Sequence, residues 1–223
     1  QDVDSISMGE SKYSLVMDPN GGIVAWVLVR RESESWRLVV EGACANALDA
    51  RLKRFLLRTR AAWDIKEREY SICAGEGPWA LRWPGEEFSL CADESGLSWT
   101  EARESRVRAG VPAWGAEVLP DTIPAEAGAW LVEQSVSFTK GCFVGQERLA
   151  RVHHRGSNVP RRLVRIEPAC KPGTYTDEAG KVALTATTQA ARQSLGLLAR
   201  RVDLGAVTLL LEGQPVQLDL LEV

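Results

Sequence analysis

Two apolar-rich runs, residues 13–17 and 23–30, flank Asp18-Pro19-Asn20-Gly21-Gly22, a segment with Pro and Gly where a tight reversal wants them. The pattern predicts a β-hairpin, and residues 36–41 read as a third strand. Residues 45–58 then change period. Ala47, Leu48, Leu52, Phe55 and Leu56 fall close to one face of a helix. Short strands are expected over 65–73, 79–83 and 87–91, separated by Gly-Glu-Gly-Pro and Pro-Gly punctuation. Thr100 is placed to N-cap a helix that runs to about Ala109 and stops at Gly110, with Pro112 preventing its continuation. Residues 111–139 read as a long irregular connection, and such connections usually carry function. Past Gly156 the pattern is wholly β, over 161–166, 182–186, 194–201, 206–211 and 216–221. Strand, helix and strands followed by a β tail predict an α+β chain, with a first region over 1–157 and a small C-terminal barrel or sandwich over 158–223.

At 223 residues, 45% hydrophobic, the chain can bury a sizeable core. A formal charge of −3 gives no chain-wide basic field, so bulk nucleic-acid binding is not expected. No apolar run approaches the roughly 20 residues of a membrane helix, and the acidic start Gln1-Asp2-Val3-Asp4 does not read as a signal peptide, which predicts a cytoplasmic protein. The five cysteines are odd in number and contain no C-x-x-C pair. This argues against a secreted disulfide framework and against a self-contained zinc or iron–sulfur site, so no metal is expected.

One stretch concentrates chemistry: Lys140-Gly141-Cys142-Phe143-Val144-Gly145-Gln146-Glu147. It sets a cysteine between a cation and a glycine turn, ahead of a helix whose free N–H groups would face it, which makes Cys142 the candidate nucleophile. Gly141 and Gly145 let backbone approach a bound ring, while Gln146 and Glu147 add directional polar groups. The same residues also fit a loop-to-helix junction with a structural cysteine.

The octapeptide resembles K-G-C-[YF]-x-G-Q-E, the motif of the YgfZ-type folate-binding proteins, relatives of the glycine-cleavage aminomethyltransferase (T-protein). Further stretches resemble that family: residues 12–21 its early strand and hairpin, 106–112 its R-[IVL]-x-A-G-x-P segment, 122–126 its T-[IL]-P-x-E segment, and 150–156 its A-R-x-x-x-x-G continuation. The resemblance implies an aminomethyltransferase-like folate-binding region followed by a C-terminal β-barrel. It also implies that an initial helix and strand would precede Gln1. Implied too are a tetrahydrofolate species as cofactor and iron–sulfur client proteins as partners, including enzymes that modify tRNA.

Carried onto this chain, the resemblance places folate in a central cavity beside Cys142. Tyr13, Lys140, Gly141, Gly145, Gln146 and Glu147 would lie around it, Trp99 would stack on the ring, and Arg151 and Arg155 would hold the anionic tail of a ligand entering pterin-first. Glu147 and Arg151 also have the i,i+4 spacing of an ordinary helix ion pair. Two departures stand out. Ala25-Trp26 occupies the place of the acidic pair that catalytic relatives use, which argues against aminomethyl transfer, the alternative function. Arg108 replaces the glutamate that holds the pterin edge, leaving Glu104, one turn earlier, as its substitute. A nucleophile pair of Cys142 and His153 lacks a third orienting residue.

Overall fold

The computed structural model describes residues 1–56, 59–92, 96–155, 159–204, 210–211 and 213–221, with the side chains of 153–155 outside that description. Strands β1 (Ser11–Met17) and β2 (Ile23–Arg31) form the expected hairpin, and β3 (Trp36–Val40) adds to β2, giving an antiparallel sheet in the order β1-β2-β3. The turn follows from local chemistry. The Asp18 carboxylate accepts from the Gly22 N–H at 2.9 Å, and Gly21 takes a φ of 80° that a side chain would resist.

Helix α1 (Gly42–Lys53) starts earlier than the sequence pattern indicates, and its buried face is Cys44 and Leu48, with Leu52 beside them. These pack on Ala25, Val27 and Val29 of β2, while Ala47 and Phe55 are exposed. The opposite face of the sheet carries an aromatic layer that includes Tyr13, Trp79, Trp83 and Phe88. Full burial of each such side chain contributes about 1.5–3 kcal/mol relative to exposure.

The strand expected over 65–73 shrinks to β4 (Ser71–Ala74), which pairs with β5 (Phe88–Cys91) and is bridged to it by a Cys73–Cys91 disulfide. The spacing of the cysteines did not reveal this bridge, because the hairpin alone brings positions 18 apart together. Around 79–83 only a single bridge, Ala80 to Ser89, is formed.

Helix α2 (Trp99–Ala109) is capped by Ser98, two residues before the expected Thr100, in a reciprocal pair with Glu101, and it ends at Gly110 with φ 70°. The connection over 111–139 is more ordered than its composition suggests. It holds a 3₁₀ turn (Pro124–Ala127) and helix α3 (Ala129–Ser135). Helix α4 (Gln146–Arg155) follows the octapeptide as expected.

The remaining strands are β6 (Arg161–Glu167), β7 (Gly173–Thr176), β8 (Val182–Gln189), β9 (Ser194–Ala199), β10 (Leu210–Leu211), β11 (Gln214–Pro215) and β12 (Gln217–Leu220). Among the described residues they form a five-stranded antiparallel sheet in the order β12-β6-β9-β8-β7, with a separate β10–β11 ladder. β7 and β12 are its outer strands, and closure into the expected barrel is not seen among the described residues. No helix among the described residues is long and apolar enough to cross a membrane.

Two ion pairs with buried carboxylates tie this sheet to the rest. Glu117, 1% exposed, accepts from Arg106 Nη1 (2.9 Å), the Ala113 N–H (2.9 Å), Thr187 Oγ1 (2.6 Å) and Thr188 Oγ1 (2.5 Å). Glu126 accepts from both Nε and Nη2 of Arg161, at 3.0 and 2.8 Å. The arginine of the 106–112 segment and the glutamate of the 122–126 segment therefore hold β8 and β6 in place. Apolar contact between Val107 of α2 and Leu163, Leu195 and Leu197 fills the same seam.

Candidate functional site

The octapeptide turn is built against the hairpin. Gln146 folds back on Phe143: its Oε1 accepts from the Phe143 N–H at 3.2 Å, and its own N–H donates to the Phe143 carbonyl, also at 3.2 Å. Between them Gly145 has φ 82°, and a Cβ there would stand 2.7 Å from the Asp18 carbonyl oxygen and 3.1 Å from Gly21 Cα. The close approach that Gly145 permits is thus to the hairpin turn. Arg148 closes the contact by donating to the Asn20 carbonyl at 3.1 Å, and Leu149 and Val152 anchor α4 in an apolar cluster with Met17, Ile123 and Val136. Gly141, by contrast, meets nothing within 4 Å.

This packing leaves Cys142 exposed, with the Lys140 ammonium 5.2 Å from the Phe143 ring centroid. Beside the turn lies a cleft of about 180 Å³. Its walls are Leu15, Val16 and Met17 of β1, Ser135 and Val136 at the end of α3, and Lys140, Phe143 and Val144 of the turn. Arg51 and Phe55, from the end of α1 and just beyond it, complete it together with Gln1. Arg51 is fixed by donating to the Met17 carbonyl at 3.1 Å and by lying 5.1 Å over the Phe55 ring. The sequence offered no pointer to Arg51, Phe55 or Ser135, which reach the cleft only through the packing of α1 and α3.

Behind the cleft Tyr13, Trp26 and Trp130 form a triad. Tyr13 stacks on Trp26 at 5.1 Å and meets Trp130 edge-on at 5.3 Å, with Trp26 and Trp130 5.9 Å apart. The Trp26 Nε1–H donates to Ser135 Oγ at 3.1 Å. Burial holds the Tyr13 phenol well above its ordinary range, so it stays a neutral hydroxyl. Ala25 is fully buried under α1. The two positions where an acidic pair would stand are thus packed with apolar groups, and Tyr13 presents its ring to neighbouring tryptophans.

The remaining candidates scatter. Trp99 opens α2 at 90% exposure and lines neither cleft. Glu104 faces the C-terminal sheet, accepting from the Ala191 N–H at 2.6 Å in a separate groove of about 440 Å³ shared with Arg103 and Thr188. Arg108 turns outward and pairs with Glu86. Glu147 and Arg151 pair at 2.6 Å on an exposed helix face, an interaction worth a few tenths of a kcal/mol. The side chain of Arg155 lies outside the described residues, as do those of His153 and His154. Of these residues Lys140 lines the cleft; Gly145 and Gln146 shape the turn that bears its Phe143 and Val144, Tyr13 packs in the aromatic triad, and Trp99 and Glu104 stand elsewhere.

The three cysteines outside the disulfide have different surroundings. Cys44 and Cys170 are buried, and desolvation pushes the Cys44 thiol up to about 11. Alkylation of the native protein between pH 7 and 9, followed by mass spectrometry of the peptides, is expected to label Cys142 first and to leave Cys44 unmodified. Faster labelling of Cys44 would overturn this assignment.

No protein-family model matches the sequence. An uncharacterized protein of Haemophilus influenzae is 28% identical over 173 residues, covering 70% of this chain and 60% of that protein. Over shorter stretches the chain is similar to mitochondrial iron–sulfur cluster assembly factors named IBA57. The Eremothecium gossypii homolog is 44% identical over 61 residues (27% of this chain, 13% of that protein), and the Mus musculus protein 37% over 89 residues (39% and 24%). The chain thus spans from 13% to 60% of these relatives' lengths. In structure, glycine cleavage system aminomethyltransferase T from Bartonella henselae matches with a TM-score of 0.67 at 17% identity, over 100% of this chain and 77% of that one. The chain has the aminomethyltransferase T fold, and its resemblance to the YgfZ-type and T-protein group extends to relatives named for iron–sulfur cluster assembly.

Proposed function

We propose that this chain binds a tetrahydrofolate species beside Cys142 as part of an accessory factor for the maturation or repair of iron–sulfur enzymes, tRNA-modifying enzymes among them. The observation that carries the reading is the octapeptide turn, docked on the hairpin so that Lys140 and Phe143 line a cleft next to an exposed thiol. Sequence similarity to the IBA57 factors supports the iron–sulfur role. Calorimetric titration with tetrahydrofolate is expected to show one saturable site. Flat heats at millimolar ligand would remove folate from the reading.

The fold's likeness to an aminomethyltransferase raises the second reading, a transfer enzyme. Ala25 and Trp26 oppose it, because neither can take or steer a proton at those positions. Incubation with aminomethylated lipoyl carrier protein and tetrahydrofolate is expected to give no methylene transfer above background. Turnover would show that some other carboxylate serves.

A further inference from the structure

The cleft beside the octapeptide is smaller than a folate and has a definite charge. Its volume of about 180 Å³ lies under the roughly 300 Å³ at which pockets begin to enclose drug-sized molecules. A single substituted ring is the size it can hold. Most of its walls are apolar, and two cations stand in them, Arg51 and Lys140. Each is held near an aromatic ring, Arg51 at 5.1 Å from Phe55 and Lys140 at 5.2 Å from Phe143. Neither forms an ion pair among the described residues. Arg51 uses Nη2 on the Met17 carbonyl, which leaves further N–H groups of its five for a ligand.

Among the described residues no carboxylate lines the cleft, and its Ser135 hydroxyl already accepts from Trp26. A pterin, whose guanidine-like edge donates hydrogen bonds, would find two cations and no acid to receive it. An aromatic carboxylate would place its ring against Leu15, Val136 and Phe143 and its charge at Arg51 or Lys140, where a guanidinium or ammonium gives a strong charge-assisted bond.

We infer that this cleft takes a one-ring aromatic carboxylate, so that a folate sits in it by its p-aminobenzoyl-glutamate half, opposite to pterin-first entry. The inference rests on the folate reading proposed above for its natural ligand, while the chemistry of the cleft stands apart from it.

The test titrates the whole chain with three probes: tetrahydrofolate, p-aminobenzoyl-glutamate, and 6-methyl-tetrahydropterin, which lacks the benzoyl-glutamate half. The expected result is that p-aminobenzoyl-glutamate binds and displaces tetrahydrofolate, and that the pterin does neither. Lys140→Met and Arg51→Met are each expected to weaken p-aminobenzoyl-glutamate at least tenfold, while Arg108→Met, which alters a cation outside the cleft, leaves it unchanged. Arg51→Met also removes a tie to β1, so Lys140→Met, on the turn, decides the matter if the first variant misfolds. Tetrahydrofolate binding with competition by the pterin alone would overturn the inference and keep the folate reading. Binding of p-aminobenzoyl-glutamate without tetrahydrofolate would leave the cleft as inferred and remove the folate reading. Binding of neither would overturn both.

Discussion

Replacing Glu117 by alanine is expected to lower stability by about 3–5 kcal/mol, the usual result of removing one partner from a buried ion pair. The carboxylate is 1% exposed and receives four donors from α2, the following loop and β8. Without it the Arg106 guanidinium keeps the Val111 carbonyl and Thr188 Oγ1, the Ala113 N–H and the Thr188 hydroxyl lose their acceptor, and Thr187 keeps the Leu195 carbonyl. Urea unfolding measures the loss. The double replacement Glu117→Leu with Arg106→Met should recover much of it, because the uncompensated charge is then gone. A cost under about 1 kcal/mol for Glu117→Ala would mean that the cluster does not hold the sheet to α2.

Gly145→Ala is expected to cost about 2–4 kcal/mol, combining roughly 1–2 kcal/mol for a left-handed conformation with the strain of forcing a methyl against rigid backbone. The clash is specific, since the new Cβ would lie 2.7 Å from the Asp18 carbonyl oxygen, an atom with no side-chain freedom to retreat. Gly141→Ala is the matched control. With nothing within 4 Å and no positive φ, it should stay within about 0.5 kcal/mol of the parent protein. Equal effects of the two replacements, read by thermal unfolding and tetrahydrofolate titration, would show that the turn does not depend on its seat on the hairpin.

What could be read in the sequence was what local chemistry determines. The Asp18 to Gly22 turn contains its own hydrogen-bond acceptor and its own left-handed glycine, so the hairpin was legible before any packing was known. Helix α4 likewise announces itself by the glycine turn and the charged run after it. Helix α3 was missed because it is seven residues long and its N-cap, Gly128, has no capping side chain. The strand over 65–73 was overextended because Ile65, which looks like a strand position, remains exposed and joins no strand ladder among the described residues.

The site divides in the same way. Lys140 lies in the octapeptide that stands out in the sequence and lines the cleft, whereas Arg51, tied to a carbonyl 34 residues away, has no such local signal. Glu104 lies on the expected helix and borders a separate groove against the C-terminal sheet. Which face of α2 meets the C-terminal sheet is decided by Val107 and the Arg106–Glu117 pair, not by helical periodicity. Trp99 is exposed for a related reason, since it sits at the first position of that helix, ahead of the turns that are packed.

The seating of Gly145 against Gly21 bears on protein engineering. The octapeptide is not a self-sufficient loop that could be transplanted, because half of its shape is supplied by a turn more than a hundred residues earlier in the chain. A graft carrying only Lys140 to Glu147 would arrive without the surface that forces Gly145 into place and without the Asn20 carbonyl that holds Arg148. The transferable unit is the pair of turns. Searches for similar sites in other sequences would gain selectivity by requiring an Asp-x-x-Gly-Gly reversal upstream of the octapeptide.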